Sequence, residues 1–163
     1  MSRQFIDLEN VMQMLIDEHR RLLAHIETQR LAMRALQIDV IEESTRTQEA
    51  SRMRIAAMET RRRALVQQLA RLSRLKPNAT LVEIASLVPE QGARLLKLRD
   101  ELKGLIQQIA DRAHVAGRLA AGVLGHLNTA VRLFAGAVGQ AGVYTKNGVP
   151  RVTARIGVME AVG

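Results

Sequence analysis

The sequence predicts an all-α protein, an elongated antiparallel three-helix bundle or coiled coil with a short connector helix and a flexible C-terminal tail. Apolar residues recur at alternating spacings of three and four over long stretches, as in amphipathic helices that pack lengthwise against one another. The aromatic side chains are one Tyr and two Phe, so the core must be built from Leu, Ile, Val, Met and Ala, which is typical of packed helices. With 163 residues and no cysteine, the chain can bury a core without disulfides.

The first long helix is predicted over about residues 3–36. Its apolar stripe follows a heptad pattern that contains a few polar residues. The positions of this stripe are Phe5, Leu8, Met12, Leu15, His19, Leu22, Ile26, Gln29, Met33, Leu36 and Val40. The last of them lies beyond the predicted end of the helix. Five methionines of the first two helices, Met12, Met14, Met33, Met53 and Met58, are expected to fill irregularities of the core.

The heptad pattern loses its apolar register after Glu42 and resumes at Ile55. Asp39 followed by Glu42 has the spacing of a capping box, in which each residue satisfies a backbone N–H of the other. We therefore predict a break near Gln37 to Asp39 and a second helix over about 39–75. A single helix that is kinked at this point is the alternative.

Two prolines mark a connector after the second helix. Pro77 ends that helix, because proline lacks a backbone donor and disfavours helical geometry in the preceding residue. Thr80 followed by Glu83 repeats the capping-box spacing and predicts a short helix over about 80–88, which Pro89 closes.

The third long helix is predicted over about 91–139 and changes character near its middle. Residues 91–112 form a conventional amphipathic helix. In contrast, residues 113–139 hold only Arg118 and Arg132 as formal charges among apolar and small residues. Several glycines in this second half lower its helix propensity by up to about 1 kcal/mol each.

We interpret the second half of the third helix as the place where a partner binds. The candidate binding residues are Leu119, Val123, Leu124, Leu127, Val131 and Phe134. The alternative is that this surface packs against the first two helices of the same chain. Residues 1–139 are expected to form one domain and residues 140–163 a flexible tail, since the apolar periodicity stops after Gly139.

The charge pattern argues against nucleic acid as a partner. The formal net charge is +8, but basic residues alternate with acidic ones, apart from Arg61, Arg62 and Arg63, and aromatic platforms for bases are lacking.

The longest charge-free stretch of the apolar region is shorter than the ~20 residues of a membrane-spanning helix. The N-terminus has the pattern of neither a signal peptide nor a transit peptide. We expect a cytoplasmic protein without membrane insertion.

Nothing in the sequence supports catalysis, a cofactor or a metal site. The four histidines have no metal-ligand spacing, and no phosphate-binding or nucleophile motif occurs. The adjacent carboxylates Asp17 and Glu18, and likewise Glu42 and Glu43, point to different sides of a helix and are expected on solvated faces. We predict that the protein is not an enzyme.

The order of these features resembles the flagellar export chaperones of the FlgN type, which escort the hook-filament junction proteins. The similar stretches are METRRRALVQQL in the second helix, LVEIASLVPE in the connector, RLLKLRDELKGLIQQI and HLNTAVRL in the third helix, and a closing Tyr144-x-x-x-Gly148. The resemblance implies that the C-terminal helix and tail bind disordered, amphipathic terminal helices of hook-associated proteins. It also implies that the complex docks on the export gate, with Tyr144 as a candidate contact.

Two other functions remain open at this point. A structural coiled-coil protein that self-associates through the third helix has the same heptads, and a basic nucleic-acid binder is a further class. For the free chaperone we expect a monomer or a weak homodimer.

Overall fold

The computed structural model describes the backbone of residues 2–141 and the side chains of residues 3–136. Its elements are the α-helices α1 (Ser2–Arg34), α2 (Ile38–Leu72), α3 (Leu81–Ala85) and α4 (Pro89–Ala141), and no strand occurs in this part of the chain. The predicted all-α helical bundle is confirmed.

The chain divides into two units, Met1–Ala120 and Ala121–Gly163. The first unit contains α1, α2, α3 and the beginning of α4, and the second is described as the remainder of α4, as far as Ala141. The prediction of one domain over 1–139 with a tail over 140–163 stays a prediction. Most of that tail, including Tyr144, lies outside the described residues.

Within the first unit, α2 runs antiparallel to α1, and α4 runs parallel to α1. Glu18 of α1 contacts Ser51 of α2, while Gln29, further along α1, contacts Thr45, which is earlier in α2. The ion pairs between α1 and α4 advance in the same direction on both helices; they are Glu9–Arg94 at 3.8 Å, Arg20–Glu101, and Glu27–Arg112 at 3.3 Å. The connector helix α3 joins the end of α2 to the start of α4 at the same end of the bundle. The three long helices therefore run up, down and up.

Three clusters of buried apolar residues lie along the first unit. The cluster nearest the connector contains Phe5, Leu8, Met12, Leu69, Ala70, Ile84 and Leu95. The middle cluster contains Val11, Leu15, Ile16 and Leu102. The third contains Leu22, Ile26 and Ala116. Each cluster joins α1 to α4, with α2 contributing to the first and flanking the other two, so burial of these side chains holds the long helices together.

Both α1 and α2 end in the same backbone motif, although neither end has a glycine. Leu36 has φ 53° and Arg74 has φ 55°, the left-handed conformation that usually requires glycine. After α1, the N–H of Gln37 bonds the carbonyl of Ala32 at 3.0 Å and the N–H of Leu36 bonds that of Met33 at 3.3 Å. This Schellman motif satisfies the terminal carbonyls of α1 and separates it from α2.

The predicted capping box at Asp39 and Glu42 is wrong. The N-cap of α2 is Gln37, which makes no side-chain capping hydrogen bond, and Asp39 lies inside the first helical turn. Glu42 instead contacts Arg46 on the same helix. In contrast, the capping box of α3 is confirmed: the N–H of Glu83 donates to the Thr80 hydroxyl at 3.2 Å, and the N–H of Thr80 donates to the Glu83 carboxylate at 2.6 Å.

Gly92 allows the first turn of α4 to approach α3 closely. A Cβ atom at this position would lie 1.9 Å from the carbonyl oxygen of Ala85. Since the atoms that it would meet belong to the backbone rather than to a flexible side chain, only glycine fits without moving α3, and the connector is packed directly against α4.

A polar layer lies between α1 and α2, where the sequence suggests a loss of register. Ser44, Gln48 and Ser51 are buried, and their spacing of four and three residues leads directly to Ile55. The heptad of α2 is therefore continuous with polar members. Gln48 and Ser51 donate to the His25 carbonyl and the Glu18 carboxylate of α1, whereas Ser44 donates to the Val40 carbonyl of its own helix. The expectation of a solvated Glu18 is wrong, because this residue is only 3 % exposed and belongs to the layer.

The methionines differ in their burial. Met12 lies in the core at 1 % exposure, and Met58 packs against the middle cluster. Met14 and Met53 are 52 % and 67 % exposed, so the expectation that they fill the core is wrong for these two.

Candidate functional site

The candidate site is an exposed apolar face on the last part of α4. Leu124, Leu127, Val131 and Phe134 are 61 %, 49 %, 65 % and 73 % exposed. Residues Leu127, Val131 and Phe134 are spaced by four and three positions, which places them on one side of a helix. Val123 is half-buried and precedes Leu127 by four residues. We call Val123, Leu124, Leu127, Val131 and Phe134 the apolar face.

Leu119 belongs to the first unit and is half-buried. It precedes Val123 by one helical turn, so the apolar spacing that begins in the bundle core continues into the apolar face. The structure thus describes all six candidate binding residues of α4, whereas Tyr144, the candidate for gate docking, lies outside the described residues.

The opposite side of this helical segment carries small and polar residues. Gly125, Asn128 and Arg132 are exposed, and a Cβ atom at Gly122 or at Gly125 would meet no atom within 4 Å apart from the adjacent backbone of its own helix. These glycines are therefore not required by close packing among the described residues. Their main effect is to weaken the helix, by about 1 kcal/mol each relative to alanine.

Leu133 is a further exposed apolar residue, at 70 %, that the sequence pattern does not select. It lies two residues after Val131 and one before Phe134, so it points away from the apolar face. An amphipathic pattern selects one stripe, and Leu133 is outside that stripe. Its exposure became visible only in the structure.

The apolar face can bind another apolar surface but cannot carry out acid–base chemistry. Large exposed apolar side chains in a row are typical of sites where a protein binds a partner. Three anchors at i, i+4 and i+7 match the way in which an amphipathic helix lies along another helix. The nearby charged side chain, Arg132, lies on the opposite side of the helix.

A buried charged residue, Glu18, lies elsewhere, in the polar layer. The carboxylate of Glu18 accepts hydrogen bonds from Ser51 Oγ at 2.7 Å, from Arg54 Nη2 at 2.8 Å and from Arg21 Nη1 at 3.2 Å. Burial alone would raise the pKa of Glu18, but the hydrogen bonds from Arg54 and Ser51, with the charges of Arg54 and Arg21, outweigh it and hold the pKa below its ordinary value. The carboxylate is fully paired, so we assign it to the stability of the α1–α2 contact.

The described residues contain no group of three or more His, Asp or Glu side chains that could hold a metal ion. Between residues 2 and 141, none of the helices has an apolar stretch sufficient to cross a lipid bilayer.

The chain was compared with protein families, curated proteins and solved structures. The model of the family described as FlgN protein matches residues 1–151, which is nearly the whole chain. Neither the curated proteins nor the solved structures gave a match. The match extends over the bundle, the connector and the apolar face together, as the order of the sequence features predicts. The chain therefore belongs to the FlgN protein family, a family of flagellar export chaperones.

Proposed function

We propose that the protein is a cytoplasmic chaperone of flagellar type III export that binds the terminal helices of hook-associated proteins. In this role it prevents their premature assembly and delivers them to the export gate. The observation that carries the proposal is the apolar face of α4, whose members Leu124, Val131 and Phe134 are each more than half exposed. The family membership of the chain supports it.

The chemistry of the cargo explains why an apolar face is needed. A protein segment that must stay unfolded for export, and that later forms an amphipathic helix, exposes apolar side chains and tends to aggregate. A second apolar stripe that covers it removes this surface from water, which stabilises the complex by roughly 25 cal/mol for each Å² of apolar surface buried.

Release at the export gate requires that binding be reversible. The glycines opposite the apolar face lower the intrinsic stability of this part of α4, and ordering a helix on binding offsets part of the interaction free energy. We propose that Gly122 and Gly125 keep the affinity for cargo moderate in this way. Tyr144 is proposed as a contact with the export gate.

The experiment is coexpression of the full-length chain with a hook-associated protein, followed by gel filtration. We expect a 1:1 complex with the wild-type chain and its loss in Leu127→Asp, because a carboxylate would be buried against apolar cargo without a partner. Leu31→Asp is the matched control: Leu31 is 56 % exposed on α1, close to the 49 % of Leu127, and this variant should keep the complex.

Two results would contradict the proposal. A complex that persists in Leu127→Asp, or is lost equally in Leu31→Asp, would show that the apolar face is not the cargo site. The absence of any complex with the wild-type chain would reject the chaperone assignment for this cargo.

Light scattering of the purified chain tests the second candidate function, self-association. A concentration-independent dimer that Leu127→Asp dissociates would favour a structural coiled-coil protein.

A further inference from the structure

A groove of about 360 Å³ between α2 and α4 has an apolar floor and a basic rim. The floor consists of Met12, Leu81, Leu102 and Ile106, and Ile106 is 50 % exposed. The charged residues of the rim are Glu59, Arg62, Arg99 and Lys103. We call this the α2–α4 groove. It lies entirely within the first unit and shares no residue with the apolar face.

The single carboxylate of this rim is already neutralised. Arg62 binds Glu59 with both Nε, at 3.1 Å, and Nη2, at 2.9 Å, and Arg63 adds a contact at 3.8 Å. The two other cations are available. Lys103 is exposed and forms no ion pair among the described residues, and Arg99 pairs only with its exposed neighbour Asp100. A surface pair of this kind contributes at most about 1 kcal/mol, so Arg99 can exchange its partner at low cost.

Two other grooves of the first unit, in comparison, have linings of balanced charge. The groove between α1 and α2 has two carboxylates, Asp17 and Glu18, opposite two arginines, Arg21 and Arg54. A second groove, between α1 and α4, likewise has two acidic and two basic residues in its lining and only Leu98 as an apolar member. Only the α2–α4 groove, among these three, combines an apolar floor with unbalanced cations.

We propose that the α2–α4 groove is a second docking site, which binds an amphipathic helix of a partner protein that has apolar anchors flanked by Asp or Glu. The apolar floor takes the anchors, and Arg99 and Lys103 pair with the flanking carboxylates, as in other helix-in-groove contacts. The apolar floor favours a protein helix over nucleic acid, because it can take apolar anchors and the lining has no aromatic side chain on which a base could stack. This site goes beyond cargo binding, since a chaperone with two separate sites can hold its cargo and a second protein together.

The experiment uses fluorescence anisotropy with a labelled synthetic peptide of about 18 residues, with Leu at i, i+3, i+4 and i+7 and Glu on both flanks. We expect Lys103→Glu to weaken binding about tenfold, because a carboxylate replaces an attractive charge at the rim. Ile106→Asp should weaken it to a similar extent through the floor. Lys97→Glu is the matched control: it makes the same change on α4 but lies in the α1–α4 groove, and it should change binding less than about twofold.

Three outcomes would overturn the proposal. If Lys97→Glu and Lys103→Glu weaken peptide binding equally, the peptide responds to the general positive charge of the chain and not to the groove. Equal binding of a peptide with Ser in place of Leu would show that the floor takes no part. Tighter binding of a single-stranded oligonucleotide, with the same dependence on Lys103, would identify a nucleic-acid surface instead. Circular dichroism of each variant verifies that it is folded.

Discussion

Leu36 is a leucine in a backbone conformation that favours glycine. It has φ 53° in the turn that follows α1, and this conformation costs a residue with a Cβ atom about 1–2 kcal/mol. Its side chain is 59 % exposed, so little burial is lost on truncation. We expect Leu36→Gly to raise the free energy of unfolding by about 0.5–1 kcal/mol, after the greater freedom of glycine in the unfolded chain is included. Urea unfolding measures this change.

Leu31 provides the control for this prediction. It is 56 % exposed and lies within α1, where glycine costs about 1 kcal/mol relative to good helix formers. Leu31→Gly should therefore lower the free energy of unfolding, although it is the same substitution as Leu36→Gly at a side chain of nearly the same exposed fraction. Destabilisation of similar size in both variants would mean that the turn at Leu36 is not strained.

At the scale of the elements, the sequence predicts the helices well because apolar spacing and proline act locally. The third long helix and the connector follow from the spacing and from Pro77 and Pro89. The polar layer could not be predicted, because Ser51 resembles a surface residue until Glu18 of α1 is seen as its partner. A pattern within one helix contains no information on which polar residue of a second helix lies opposite.

The same limit applies to the binding surfaces. The apolar face lies on one helix, so its residues could be named from spacing alone. Its exposure could not be read from the sequence, since the same stripe would suit contact with α1 and α2. The α2–α4 groove combines side chains of four helices, with Glu59, Leu81 and Lys103 far apart in the chain, and no sequence pattern connects them.

The helix that carries the apolar face offers a test of how its pliability affects binding. Alanine fits at Gly122 and Gly125, because no atom lies within 4 Å of the new Cβ positions. The double variant should raise helix stability by up to about 2 kcal/mol and so reduce the ordering cost of binding. We expect the affinity for cargo, measured by titration calorimetry, to increase roughly three- to thirtyfold.

Gly104→Ala is the control for the double variant. A Cβ atom at Gly104 would likewise meet no atom within 4 Å apart from the adjacent backbone of its own helix, but Gly104 lies in the first unit and is not part of the apolar face. It should stabilise α4 by up to about 1 kcal/mol without changing cargo affinity. If the double variant binds cargo no more tightly than Gly104→Ala, the glycines do not limit affinity.

At the scale of the whole molecule, carboxylates link folding to pH. Three of them have a pKa below the ordinary value in the folded chain: Glu18, for the reasons given above; Glu27, mainly through its hydrogen bond with Arg30; and Glu83, mainly through the backbone N–H of Thr80. A carboxylate whose pKa is lowered by folding stabilises the folded state above its unfolded pKa, here 4.5. That contribution is lost as the pH falls through the folded pKa.

Glu18 should dominate this dependence, because it is the buried member of the three. We expect Glu18→Gln to lower the free energy of unfolding by about 2 kcal/mol at pH 7, since the charge-assisted bonds from Arg54 and Ser51 are weakened. The difference should shrink as the pH falls below 4.5 and then through the lowered pKa of the folded state, because Glu18 itself becomes protonated and then resembles glutamine. Glu42→Gln, at an exposed glutamate that pairs with Arg46 on its own helix, should change stability by less than about 0.5 kcal/mol at any pH. Urea unfolding between pH 3 and pH 7 distinguishes the two, and a Glu18→Gln effect that does not vary with pH would mean that lost packing, rather than lost charge, destabilises the α1–α2 contact.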